Sequence, residues 1–213
     1  MRKLPILLSA CVAVLASATV GARAQEAGED FAKRLFAATS VDHKTFACFV
    51  RRYDARHLAQ HSRQKVGAMK LLVTVERLPD DEELHYGFRL GVKFRKQPDA
   101  FETSGDCGHP VAEVAGQSLR IHCAVDCDGG SIETSLADGD KSVMVKLDEI
   151  RLFPAVDPAR RGNDADDADP DHDGHVMFEA GADDHVFRLD RADITECQSL
   201  AVDAEELAAL QRK

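Results

Sequence analysis

The sequence predicts an all-β, mainly antiparallel fold, either a single β-barrel or a two-sheet β-sandwich, with short N- and C-terminal helices. Three observations support this prediction. First, apolar and polar residues alternate with a period of two in most of the apolar segments. Second, turn residues (Gly, Pro and Asp) separate these segments. Third, helical spacing occurs only in short runs. A sandwich needs the same alternation, but we favour the barrel because consecutive hairpins give an up-and-down order without long crossovers.

The clearest group of strands lies in residues 118–153 and predicts a three-stranded meander. The residues on its apolar face are Leu119, Ile121, Cys123, Val125 and Cys127, then Ile132, Thr134 and Leu136, then Val143, Val145 and Leu147. Two segments rich in Gly and Asp, residues 128–130 and 137–140, tolerate the positive φ angles that tight turns require.

The most regular strand is Leu84–Phe94, in which an apolar side chain occupies every second position. Gly87 and Gly91 lie on its polar face and predict bending or the close approach of a neighbour. The strand that begins at Val66 alternates in the same way, except that Leu72 is apolar on the outward face.

The remaining elements are shorter. They are a helix over 27–40, a strand over 46–53, a two-turn helix capped by Asp54, strands over 101–107, 111–115, 176–178 and 184–189, and a capped terminal helix over 203–210 that begins with Asp203.

The first 24 residues read as a cleaved secretory signal peptide. Arg2 and Lys3 precede an apolar run over 4–20, and small residues occupy both positions that determine cleavage before Gln25. The alternative is lipidation at Cys11, which we disfavour because the apolar run continues past that residue. No later run approaches the roughly 20 apolar residues of a transmembrane segment. We therefore expect a periplasmic or secreted protein, with residues 25–213 as a single β-rich domain.

The charge of the chain excludes one class of partner. Removing Arg2, Lys3 and Arg23 from 27 basic residues leaves 24 against 37 acidic ones, so the mature chain carries −13. A chain this acidic repels phosphate backbones, and we expect no nucleic acid as a partner.

Five cysteines follow the leader, and export predicts that they pair as disulfides with one thiol left over. Cys48 and Cys197 lie near opposite ends of the mature domain and form the first predicted pair. Cys107 then pairs with Cys123 or Cys127, and we favour Cys123.

An acidic loop over 154–174 contains the sharpest motif for a metal. Carboxylates at alternate positions followed by Gly174 can wrap around Ca²⁺, as in the first half of an EF-hand loop. The candidate ligands are Asp169, Asp171, Asp173, His175 and Glu179. The motif departs from the EF-hand pattern because the closing acid is expected at Ala180 and no helix flanks the loop. The alternative interpretation is a solvated loop without metal. We expect no other cofactor.

Nothing in the sequence predicts catalysis strongly. There is no nucleophile turn and no Gly-rich phosphate loop, and the leftover thiol is the one candidate nucleophile, which would make the protein a thiol-dependent hydrolase. His57 and His61 share one helical face and can hold a metal only with a third ligand from elsewhere.

Three segments carry a resemblance. They are Arg51-Arg52-Tyr53-Asp54, His57-Leu58-Ala59-Gln60-His61 and Cys127-Asp128-Gly129-Gly130. With these segments the chain resembles uncharacterised bacterial exported β-rich proteins over most of its mature length. The resemblance implies export and a β fold, and it carries no known activity, so it transfers no functional residue.

The sequence thus predicts an exported, non-enzymatic binding or envelope-associated module. Its partner is either a small apolar ligand in the mouth of a barrel or another protein at an exposed sheet face. A calcium-binding protein that uses residues 169–179 is the main alternative, and the thiol-dependent hydrolase is the third.

Overall fold

The structure, a computed structural model, describes residues 27–41, 43–78, 83–111, 119–159 and 174–212. The predicted leader with Cys11, and residues 160–173 of the acidic loop, lie outside these ranges. Within them the fold is all-β and antiparallel, as predicted. The strands are β1 (Thr45–Arg52), β2 (Val66–Arg77), β3 (Leu84–Phe94), β4 (Ala100–Cys107), β5 (Arg120–Ala124), β6 (Gly130–Ala137), β7 (Ser142–Pro154), β8 (Val176–Glu179) and β9 (Val186–Arg191). The helices are α1 (residues 27–36), α2 (Ala55–Gln60), a 3₁₀ helix (Ile194–Leu200) and α3 (Ala204–Gln211).

The nine strands of the described residues form one sheet that closes into a ring. Strands β1 to β7 follow one another as neighbours, and β9 lies between β7 and β1 and closes the sheet. This order is the up-and-down arrangement of a barrel.

The two ends of the ring differ. The last residues of β4 pair with β5, whereas Phe101 and Glu102 at its start pair with Pro154 and Phe153 at the end of β7. The β5–β6 hairpin therefore widens only one end. At the other end β8 takes the place of β9 beside β7, and among the described strands β8 pairs with β7 alone. We call this second end, where β2 begins and β3 ends, the β8 end.

The β5–β6 turn lies one residue earlier than the sequence predicts. Cys127 and Asp128 adopt φ angles of 55° and 58°, and the Gly129 N–H donates to the Asp126 carbonyl at 3.2 Å. Two successive left-handed residues make a type I′ turn, which matches the twist of a hairpin. The prediction that Cys127 points inward from a strand is therefore wrong: β5 ends at Ala124, and Cys127 is exposed.

Two apolar clusters lie on the two sides of the sheet. The larger one fills the ring and contains the inward side chains of β2, β3 and β7, with Phe31 and Leu35 of α1. The smaller one lies outside the ring and packs Leu72 of β2 against Leu200 and Leu210 of the C-terminal segment. Leu72 is apolar on the outward face because the 3₁₀ helix and α3 cover it. At Gly91, a Cβ would meet the side chain of Leu200 at 3.1 Å, which is the close approach that the sequence predicts.

Both favoured cysteine pairs come together. Cys48 and Cys197 lie 2.02 Å apart between their sulfur atoms, and Cys107 and Cys123 lie 2.05 Å apart. Cys127 is the free thiol of the described residues. Among the described helices, none has the length and apolar character to cross a membrane.

Candidate ligand-binding site

A cavity of about 860 Å³ opens at the β8 end of the ring. Four parts of the chain line it, namely α2, the segment before β2, the end of β3 with its following turn, and β8. The apolar members of the lining are Leu58, Ala59, Phe94, Val176, Met177 and Phe178.

Local hydrogen bonds hold α2 over the cavity. The Asp54 side chain accepts from the His57 N–H at 2.7 Å and caps the helix, as the sequence predicts. Gln64 is buried, donates from Nε2 to the Val66 carbonyl at 2.7 Å and contacts His57 Nε2 at 3.0 Å through Oε1. This amide joins the helix to the first residue of β2. The His57 ring stacks between Tyr53 and His61, with centroids 4.6 Å and 4.3 Å away.

Asp184 holds β8 on the opposite side. Its carboxylate is fully buried and accepts from the backbone N–H groups of Lys65 at 2.7 Å and Val66 at 3.2 Å. The sequence predicts Asp184 inside a strand, and that prediction is wrong, because β9 begins at Val186. The carboxylate instead ties the turn between β8 and β9 to the start of β2, so that β8 faces the ends of β2 and β3 across the cavity.

Aromatic rings form the floor of the cavity. Phe94 of β3 lies 5.3 Å from Phe178 of β8 and 5.6 Å from Phe101 of β4, measured between ring centroids, and the pairs are tilted. Phe178 is 4% exposed, whereas Met177 beside it is 40% exposed. The Lys65 Nζ lies 5.6 Å from the centre of the Phe178 ring, a cation–π distance.

Basic side chains form the rim. They are Arg63, Lys65, Arg95 and Lys96, and among the described residues that line the cavity Glu179 is the one that is acidic. Arg63 contacts Asp183 at 3.8 Å. The other contacts of this set are to backbone carbonyls, from Lys65 Nζ to Glu179 at 2.9 Å and from Arg95 Nη1 to His61 and Gln64 at 3.3 Å and 3.2 Å.

The sequence predicts a ligand site at a barrel mouth but not the residues of the rim. The sequence nevertheless contains a pattern that indicates these residues. One basic pair, Arg63 and Lys65, comes just before β2, and another, Arg95 and Lys96, comes just after β3. Because β2 and β3 are adjacent antiparallel strands, the residues before the first and after the second must meet at one end of the sheet. The Arg95 N–H indeed donates to the Lys65 carbonyl at 2.9 Å.

The predicted calcium ligands are only partly described. Asp169, Asp171 and Asp173 lie outside the described residues. His175 packs beside Phe153 with ring centroids 6.0 Å apart, and Glu179 ends β8. No three His, Cys, Asp or Glu side chains in the described part of the chain come together as a metal site. Calcium binding stays a prediction.

The free thiol and the cavity lie at different parts of the ring. Cys127 is at the tip of the β5–β6 hairpin, whereas the lining comes from α2, β3 and β8. Comparison of the chain with protein-family models, with curated proteins and with solved structures found no match.

Proposed function

We propose that the protein is an exported, non-enzymatic binding module that holds a small ligand with an apolar portion in the cavity at the β8 end. The observation that carries the proposal is the cavity itself, since about 860 Å³ lies within the range of roughly 300–1,000 Å³ that is usual for small-molecule sites. The two disulfides and the predicted leader support export.

The composition of the lining supports binding of a small molecule. Ligand pockets combine apolar and aromatic walls with a few polar groups that orient the ligand. Here Phe94, Phe178 and Leu58 supply apolar surface, and the charged groups stand at the rim. Hydrogen bonds at Gln64 and Asp184 hold both sides of the cavity, so the site is preformed, which lowers the entropic cost of binding.

Fluorescence titration with a neutral apolar probe, N-phenyl-1-naphthylamine, tests the proposal. We expect saturable binding of one probe per chain. Leu58→Gln keeps a good helix former on α2 but replaces apolar surface in the cavity with an amide. Loss of this contact should weaken binding about tenfold.

Leu78→Gln is the matched control. Leu78 is 43% exposed and follows the last residue of β2, at the end of the ring away from the cavity. We expect this variant to bind the probe as the unaltered protein does. Absence of saturable binding, or equal losses in the two variants with unchanged melting temperatures, would contradict the proposal.

A further inference from the structure

The rim of the cavity has the opposite sign of charge from the chain. The whole chain carries a net charge of −10, yet of the five charged side chains that line the cavity in the described part of the chain, four are basic. A local cluster against the overall charge attracts anions within about 10 Å at moderate salt, because longer-range repulsion is screened.

Among the residues that the structure describes, few carboxylates compensate the cations of the rim. Arg63 has one long contact with Asp183, and Lys65 and Arg95 donate to backbone carbonyls, which carry no net charge. Lys96 is exposed in the turn after β3 and has no ion pair with a described residue. An anionic group in the cavity would therefore receive charge-assisted hydrogen bonds that the described residues do not use.

Cationic and apolar surfaces meet within the same cavity. The ammonium group of Lys65 stands over the Phe178 ring, and Arg95 follows Phe94 directly in the chain. A ligand that covers the two phenylalanine rings would therefore lie close to these cations.

We infer that the ligand is an amphipathic anion, an aliphatic chain that ends in a single carboxylate or phosphate group. The chain lies against Phe94 and Phe178, and the anionic group lies at the rim beside Arg95 and Lys96. This inference rests on the proposed function and names its ligand class. The apolar chain supplies most of the affinity, and the rim selects the sign of the charge.

Three probes with the same chain test the inference, namely decanoate, decan-1-ol and decyltrimethylammonium. Each competes with N-phenyl-1-naphthylamine for the cavity at low and at high salt. We expect decanoate to bind about fivefold more tightly than decan-1-ol at low salt, since exposed ion pairs contribute modestly, and the ammonium probe to bind most weakly. The preference for decanoate should shrink at high salt. Decyl phosphate, run in parallel, shows which of the two anionic groups binds more tightly.

Two charge reversals locate the anionic group. Lys96→Glu should abolish the preference for decanoate over decan-1-ol, and it should weaken decanoate binding more than decan-1-ol binding. Lys141→Glu is the control, because Lys141 is also an exposed lysine in a strand-to-strand turn and lies at the opposite end of the ring. This control changes the net charge equally and should keep the preference.

The outcomes separate the two proposals. Equal affinities for decanoate and decan-1-ol, or equal effects of the two reversals, would overturn the anion inference and leave the proposed function intact. Failure of all the decyl probes and of N-phenyl-1-naphthylamine to bind would overturn the proposed function as well.

Discussion

Glu206 is a buried carboxylate on α3 that joins the C-terminal segment to the sheet. It is 5% exposed and pairs through both oxygens with the guanidinium of Arg89 on β3, while Lys44 Nζ lies 3.1 Å away. It also accepts from the Val202 N–H at 3.3 Å. Burial raises the pKa of Glu206, but the hydrogen bonds and charges of Arg89 and Lys44 outweigh burial, so the pKa lies below the ordinary value.

Glu206→Gln should lower the free energy of unfolding by about 3 kcal/mol at pH 7, because it leaves the largely buried charge of Arg89 without its partner. A carboxylate with a lowered pKa stabilises the fold above its unfolded-state pKa, and this contribution is lost as the pH falls through the folded-state pKa. The difference in free energy of unfolding between the unaltered protein and Glu206→Gln should therefore shrink below about pH 4. Urea unfolding at several pH values measures it.

Glu205→Gln is the control for this substitution. Glu205 is the preceding residue in the first turn of α3 and is exposed. We expect a change of at most about 0.5 kcal/mol. Equal effects of the two substitutions, or a difference that does not depend on pH, would show that the ion pair contributes nothing specific to stability.

The turn of the β5–β6 hairpin has residues at its central positions that rarely adopt the backbone conformation it requires. A type I′ turn favours Asn and Gly at its two central positions, whereas this chain places Cys127 and Asp128 there. Gly130 follows with a φ of 84°, and a Cβ on it would lie 2.1 Å from the Glu149 carbonyl of β7. The glycine thus permits β7 to pass close to the hairpin on its way to β4.

Asp128→Gly should stabilise the protein by roughly 0.5–1 kcal/mol. It removes a left-handed penalty of roughly 1–2 kcal/mol, and the greater entropy of glycine in the unfolded chain offsets part of the gain. Asp126→Gly is the control, since Asp126 belongs to the same turn but has no positive φ. The control should destabilise by roughly 0.5–1 kcal/mol. Thermal unfolding measures both variants, and destabilisation by Asp128→Gly would contradict the turn geometry.

Across the whole molecule, two kinds of contact join β1, the first strand of the ring, to the C-terminal part of the chain. Closure of the ring joins β9 to β1, and the Cys48–Cys197 disulfide fastens the C-terminal segment to the outside of the same strand, across 149 residues. The Cys107–Cys123 disulfide spans 16 residues and joins neighbouring strands β4 and β5. The bridge that closes the longer loop removes more conformational entropy from the unfolded chain, and it should therefore stabilise the fold more.

Replacing Cys48 and Cys197 by Ala should therefore cost more than replacing Cys107 and Cys123. The chain-entropy relation gives about 5 kcal/mol for the first bridge and about 3 kcal/mol for the second. Alanine is preferred to serine because a buried hydroxyl would lack a partner. Both pairs are replaced in a Cys127→Ser background, which prevents exchange with the free thiol, and urea unfolding compares them. Equal losses would show that loop length does not set the contribution of these bridges.

Features that depend only on neighbouring residues could be predicted from the sequence. The bounds of β3 agree with the predicted strand residue for residue, because alternation is a local property of the chain. Asp54 and Asp203 cap helices where predicted, since a cap needs only the next three residues. The favoured disulfides also agree with the structure.

Contacts between distant parts of the chain could not be predicted from the sequence and are seen only in the folded protein. The burial of Leu72 and Asp184, and the meeting of β8 with the ends of β2 and β3, depend on residues more than 80 positions apart. Local periodicity carries no information about such pairs, because a strand's pattern shows which face is apolar but not what covers it. The fold class was therefore predictable, and the residues of the cavity became visible only once strand pairing had brought them to one end of the ring.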